Sequence, residues 1–77
     1  MKASLKVVHT RMEVLKGLEL ENVSIRHVEF DKLVIKSQLI EFELWHRNII
    51  FEEEHIRING FALINGIMGR LECVVNP

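Results

Sequence analysis

Cysteine, proline and tyrosine are nearly missing from this 77-residue chain: it has one cysteine, Cys73, one proline, Pro77, and no tyrosine. A lone cysteine cannot close an internal disulfide, which excludes a stapled secreted scaffold and points to a reducing compartment, the cytoplasm. With no proline before Pro77, no strand edge is blunted by a missing amide, so an exposed edge must be protected by charge or by pairing. Long apolar runs are lacking too. Lys2 and Lys6 interrupt the start with charge, and the longest later run is Phe61 to Ile64, so no membrane-spanning or secretory segment is evident.

Nor does one sign of charge dominate. Ten Lys plus Arg stand against eleven Asp plus Glu, a net charge of -1, and the signs alternate along the chain without forming a basic run. The aromatic residues are Phe30, Phe42, Trp45, Phe51 and Phe61, on presumed core beats and not interleaved with Arg and Lys. Both features argue against a nucleic-acid partner.

What is abundant is apolar surface, at 48% of residues against 27% charged. That content offsets the ordering entropy and excludes disorder. At this length the expectation is a single β-rich domain over residues 1–77, with more apolar surface than one small core can hide and self-association as the remedy.

The apolar residues come in short pairs: Leu18 and Leu20, Val23 and Ile25, Val28 and Phe30, Leu33 and Ile35. Each pair shares a strand face, but the parity changes from pair to pair, so a flat strand would expose every second one. The chain must turn or bulge between them, and Asn22, His27, Asp31 with Lys32, and Ser37 occupy those junctions. This predicts a mainly β fold, a small antiparallel sheet or meander of short bulged strands.

Every fifth residue from Leu5 to Ile50 is apolar except Thr10. That spacing resembles pentapeptide-repeat proteins and would imply a short β-solenoid, although Leu18, Leu33, Gln38 and Glu43 fill the slot where that family has a small residue. Residues 4–16 admit two readings. Leu5, Val8, Met12 and Leu15 fit one face of an N-terminal helix, with Ser4 to cap and Gly17 to stop it; Val8, Thr10, Met12 and Val14 fit one face of a strand, which the β-branched residues favour.

Farther on, Ile40, Phe42 and Leu44 alternate with glutamates as a half-buried strand. Trp45 through Asn48 is expected to turn, and Ile49 to Ile58 to return as the second arm of a hairpin. Asn59-Gly60 and Asn65-Gly66 each carry the preferred dipeptide of a type I′ turn, and Leu71, Cys73 and Val75 mark a last strand.

Little of this carries chemistry. His46 and His55 flank Glu52, Glu53 and Glu54 and could offer a metal two imidazoles and a carboxylate across a hairpin, but the spacing matches no standard ligand motif. Glu52 and Glu54 share a strand face, yet a charged strand that discourages stray pairing explains them with less machinery than acid-base catalysis. Cys73 reads as a buried apolar residue, His27 as a turn residue or pH-sensitive interface group, and the four glycines as turns.

The reading that follows is a non-enzymatic interaction module without cofactor or resident metal, which self-associates or joins a larger assembly through an apolar β face and an edge strand. Phe42, Trp45 and Phe51 are its expected interface residues. An alternative is a β groove for an apolar ligand such as a lipid, since the stretch from Gly17 to Val23 followed by alternating strands is similar to segments of groove-forming lipid-transfer proteins. A small metal-binding protein built on His46 and His55 is a second.

Overall fold

In the computed structural model, which describes residues 2–77, six antiparallel strands follow one another around a closed barrel: β1 (Lys2–Thr10), β2 (Glu19–Glu29), β3 (Lys32–Lys36), β4 (Glu41–Phe51), β5 (Ile56–Ile64) and β6 (Ile67–Asn76). Each strand pairs with the next, and β6 returns to pair with β1. The expected antiparallel meander is thus present, with its two ends joined. The described residues form neither solenoid coils nor an N-terminal α-helix; past β1 the chain makes only a 3₁₀ turn, Glu13–Leu15.

A barrel of six strands is narrow, and inward side chains fill it. Leu5 and Val7 of β1, Phe42 and Leu44 of β4, and Leu71, Cys73 and Val75 of β6 are among those buried there. Fully burying one such aliphatic side chain is worth about 1.5–3 kcal/mol, so this interior is what holds the wall closed. Of the expected strand over residues 4–16 only the part to Thr10 forms, and its inward face is Leu5 and Val7 with Thr10, not Val8, Thr10, Met12 and Val14, of which Val8 and Val14 are exposed. Val8 is the extra residue where the pairing of β1 with β6 slips between Val7 and His9, and it faces out.

The parity changes have local causes. Leu20 and Val23 both point inward because Asn22, with φ 54°, inserts a bulge where the β1–β2 register slips between Ala3 and Leu5. His27 does not turn the chain: β2 continues past it with a second slip before Glu29, and the turn falls at Phe30 and Asp31. The pair Val28 and Phe30 therefore lies outside the core, with Phe30 93% exposed at the hairpin tip.

The loop from β1 to β2 folds back over one end of the barrel. Leu15 is fully buried there, and the Thr10 hydroxyl donates to the Arg70 carbonyl (2.7 Å) while accepting from the Met12 amide (3.1 Å). Two expectations on β4 and β5 change. Trp45 through Asn48 is not a turn; β4 runs unbroken to Phe51, and the reversal comes at Glu52–His55, where the Glu52 amide donates to the His55 carbonyl (2.9 Å). Asn65-Gly66 does make the tight hairpin turn, with φ 51° and 77°. Asn59-Gly60 instead lies inside β5, opposite a bulge of β4 between His46 and Asn48. A Cβ on Gly60 would collide with the Trp45 carbonyl oxygen, so glycine is needed for close backbone approach and not for a turn.

Candidate functional site

The bulge divides β4 into two unlike halves. From Glu41 to Trp45 the strand pairs with β3, from Lys36 to Lys32, and from Glu43 to Trp45 it pairs with β5 as well, from Leu63 to Phe61; the His46 amide makes the last bond toward β3, donating to the Asp31 carbonyl (2.9 Å). β3 has then ended. Asn48 to Phe51 pair only with β5, at Asn59 to Ile56. Antiparallel bonding alternates, and the Glu52–His55 bond sets its phase: Asn48, Ile50 and Glu52 bond toward β5, while Ile49 and Phe51 turn their amides and carbonyls away from it. The barrel thus carries free edge here despite its closure, as it does at Ile25–Glu29 of β2, paired only with β3, and at Ile67–Arg70 of β6, paired only with β5.

The three residues expected at an interface are separated by this geometry. Phe51 ends the free stretch and is 76% exposed, beside the half-exposed Ile50. Trp45 is half-buried on the outer wall, opposite Phe61 on β5; Lys32 places its ammonium 5.1 Å from the centre of the indole ring, and the indole Nε1 is buried with no hydrogen-bond partner. Phe42 is corrected: at 3% exposure it points into the barrel and packs the core, as its alternation with Leu44 requires, and it has no surface to offer a partner.

His46 and His55 do not come together. The His46 ring stands 6.0 Å from that of His27, and His55 Nε2 lies 2.8 Å from a Glu52 carboxylate oxygen within its own turn. No group of three His, Cys, Asp or Glu gathers as a metal site among the described residues. The acidic run sits in the turn and not on a strand face. Glu52 also meets Arg57 (3.4 Å), whose guanidinium binds Glu72 more closely (2.7 Å); the Glu72 bond, with the Glu52 charge, raises Arg57 above its ordinary value. Cys73 is fully buried, and burial pushes its thiol up to about 12, with a smaller push from Glu72. A thiol held protonated is a packing residue, not a nucleophile.

Folding also creates a cluster that the linear charge pattern conceals. Arg47 on the bulge, Arg70 on β6 and Arg11 just past β1 are far apart in sequence. Together they border two adjoining clefts in the outer wall, one lined by Arg47, Asn48, Asn59, Phe61 and Arg70, the other by His9, Arg11, Gly69 and Arg70. None of the three arginines has a carboxylate within 4.0 Å among the described residues, in contrast to Arg57. The only signal for this in the sequence is the glycine pair Gly60 and Gly69, which permits close approach beneath the two clefts.

No helix of the described residues is long and apolar enough to cross a membrane. No protein-family model, curated protein or solved structure matches this chain.

Proposed function

We propose that this protein is a non-enzymatic association module that pairs with a second copy of itself through the free half of β4. The observation that carries the reading is the overhang of Asn48–Phe51 beyond β3, with Ile49 and Phe51 directing unpaired backbone groups outward beside the exposed Ile50 and Phe51 side chains. An edge of this kind is a template for another strand.

The second copy fits because the segment complements itself. Arg47 and Asn48 precede the apolar Ile49, Ile50 and Phe51, and Glu52, Glu53 and Glu54 follow. In an antiparallel two-fold pairing centred on Ile50, Ile49 meets Phe51 of the second copy and Arg47 approaches its acidic turn. Opposite charges then meet at both ends of an apolar centre, as an isologous contact requires. Trp45 and the tip residue Phe30 lie outside this strand pairing.

Phe51→Pro tests the reading, because it removes an outward amide without touching a bond to β5. In native mass spectrometry over a dilution series the unaltered chain is expected at twice 9.0 kDa when concentrated, and Phe51→Pro at 9.0 kDa throughout. An unaltered chain that stays at 9.0 kDa at every concentration rejects self-association, and a dimer that survives Phe51→Pro rejects this edge.

A further inference from the structure

The arginine clefts call for an explanation that edge pairing does not supply. Their volumes, about 390 Å³ for the one between Arg47 and Arg70 and about 420 Å³ for the one between Arg70 and Arg11, lie in the range of small-molecule sites. Arg70 borders both. Its neighbours are held by backbone features rather than by chance side-chain positions. The bulge that carries Arg47 is seated on Gly60, and the Thr10 hydroxyl, bonded to the Arg70 carbonyl and the Met12 amide, fixes the chain on either side of Arg11 against β6.

Three uncompensated guanidinium groups around joined clefts repel one another, so the arrangement lacks an anion. Glu72, an acid on this wall, faces His9 on β1 and Asn59 on β5, but its carboxylate is already bonded to Arg57 at 2.7 Å. Guanidinium forks match phosphate oxygens in pairs. Beside them, Phe61 lies in register between Arg70 and Trp45 and is half-buried, which leaves part of a flat apolar face on the cleft. Asn48 and Asn59 stand directly opposite each other, and their side-chain amides make no hydrogen bond among the described residues. An amide offers both donor and acceptor, the combination that reads the edge of a heterocycle.

We infer that this wall is a binding site for a nucleotide: Arg70, with Arg11 and Arg47, takes the phosphates, Phe61 covers one face of the base, and Asn48 and Asn59 bond its edge. Arg47 also borders the free half of β4, so the test leaves it intact and acts on Arg70 and Phe61, which the edge pairing does not use.

The experiment is titration of the full chain, followed by calorimetry and by amide chemical shifts, with ATP and with pyrophosphate as the probe that has no base. Arg70→Gln should weaken both probes by about tenfold or more, whereas Arg57→Gln, which removes an ion-paired cation from the same wall, should change ATP binding less than about twofold. Phe61→Leu should weaken ATP and leave pyrophosphate unchanged. Absence of ATP binding, or ATP binding that Arg70→Gln leaves intact, overturns the site. Equal loss of ATP and pyrophosphate in Phe61→Leu overturns the role of the base. Thermal unfolding of each variant reports whether the barrel is intact, and dimerisation measured separately stands or falls without this result.

Discussion

The two halves of β4 belong to one continuous strand and meet different fates. Glu41 to Leu44 alternate charged with apolar side chains and Arg47 to Phe51 run from two polar residues to three apolar ones; Glu43 to Trp45 lie between β3 and β5, while Asn48 to Phe51 have β5 alone. In the first half Phe42 and Leu44 are sealed inside; in the second Ile49 still packs on the core, but Ile50 and Phe51 meet solvent. Alternation fixes which way side chains point, and neighbouring strand length fixes whether the backbone is satisfied. Closure of a barrel removes edges only where every strand reaches as far as its neighbours.

The barrel interior that both halves face depends on the absence of charge, and alkali is the most forceful way to break it. The Cys73 thiol is ordinarily at 9.0 and is held at about 12 in the fold. The unfolded chain therefore releases this proton first as pH rises. The contribution to stability is complete below about pH 9 and is lost progressively towards pH 12, by up to about 4 kcal/mol. Denaturant midpoints measured against pH should decline over that window for the unaltered chain, and the decline should flatten in Cys73→Ala.

The junction between the halves comes next in size. Gly60→Ala places a methyl group against the Trp45 carbonyl and the His46 Cα, both backbone, so neither can swing aside. The expected cost is about 3 kcal/mol, read from urea unfolding, with the largest amide shift changes at His46, Arg47 and Asn48. A cost near zero would mean that the bulge does not need this close approach.

Much of this architecture was legible because strand alternation is local. The meander, the Asn65-Gly66 turn, the last strand and the buried Cys73 all follow from residues within a few positions of each other. The closure of β6 onto β1 was not legible, since it depends on barrel geometry and not on any one segment. Asn59-Gly60 misled because the same dipeptide serves a tight turn and a close backbone approach; only the partner strand distinguishes them. Phe42 was misassigned for a related reason: large aromatics suit interfaces and cores equally, and its inward parity with Leu44 decides. The arginine clefts escaped notice because Arg11, Arg47 and Arg70 become neighbours only when four strands are laid side by side.

The free half of β4 is tested most directly by amide hydrogen exchange at Ile49 and Phe51, compared with Asn48 and Ile50, at low and high protein concentration. If the edge is open in the monomer and covered in the dimer, Ile49 and Phe51 exchange fast in dilute solution and become protected on concentration, while Asn48 and Ile50 stay protected in both. Fast exchange at Ile49 and Phe51 that does not respond to concentration, or protection already complete in the dilute monomer, would contradict pairing through this strand.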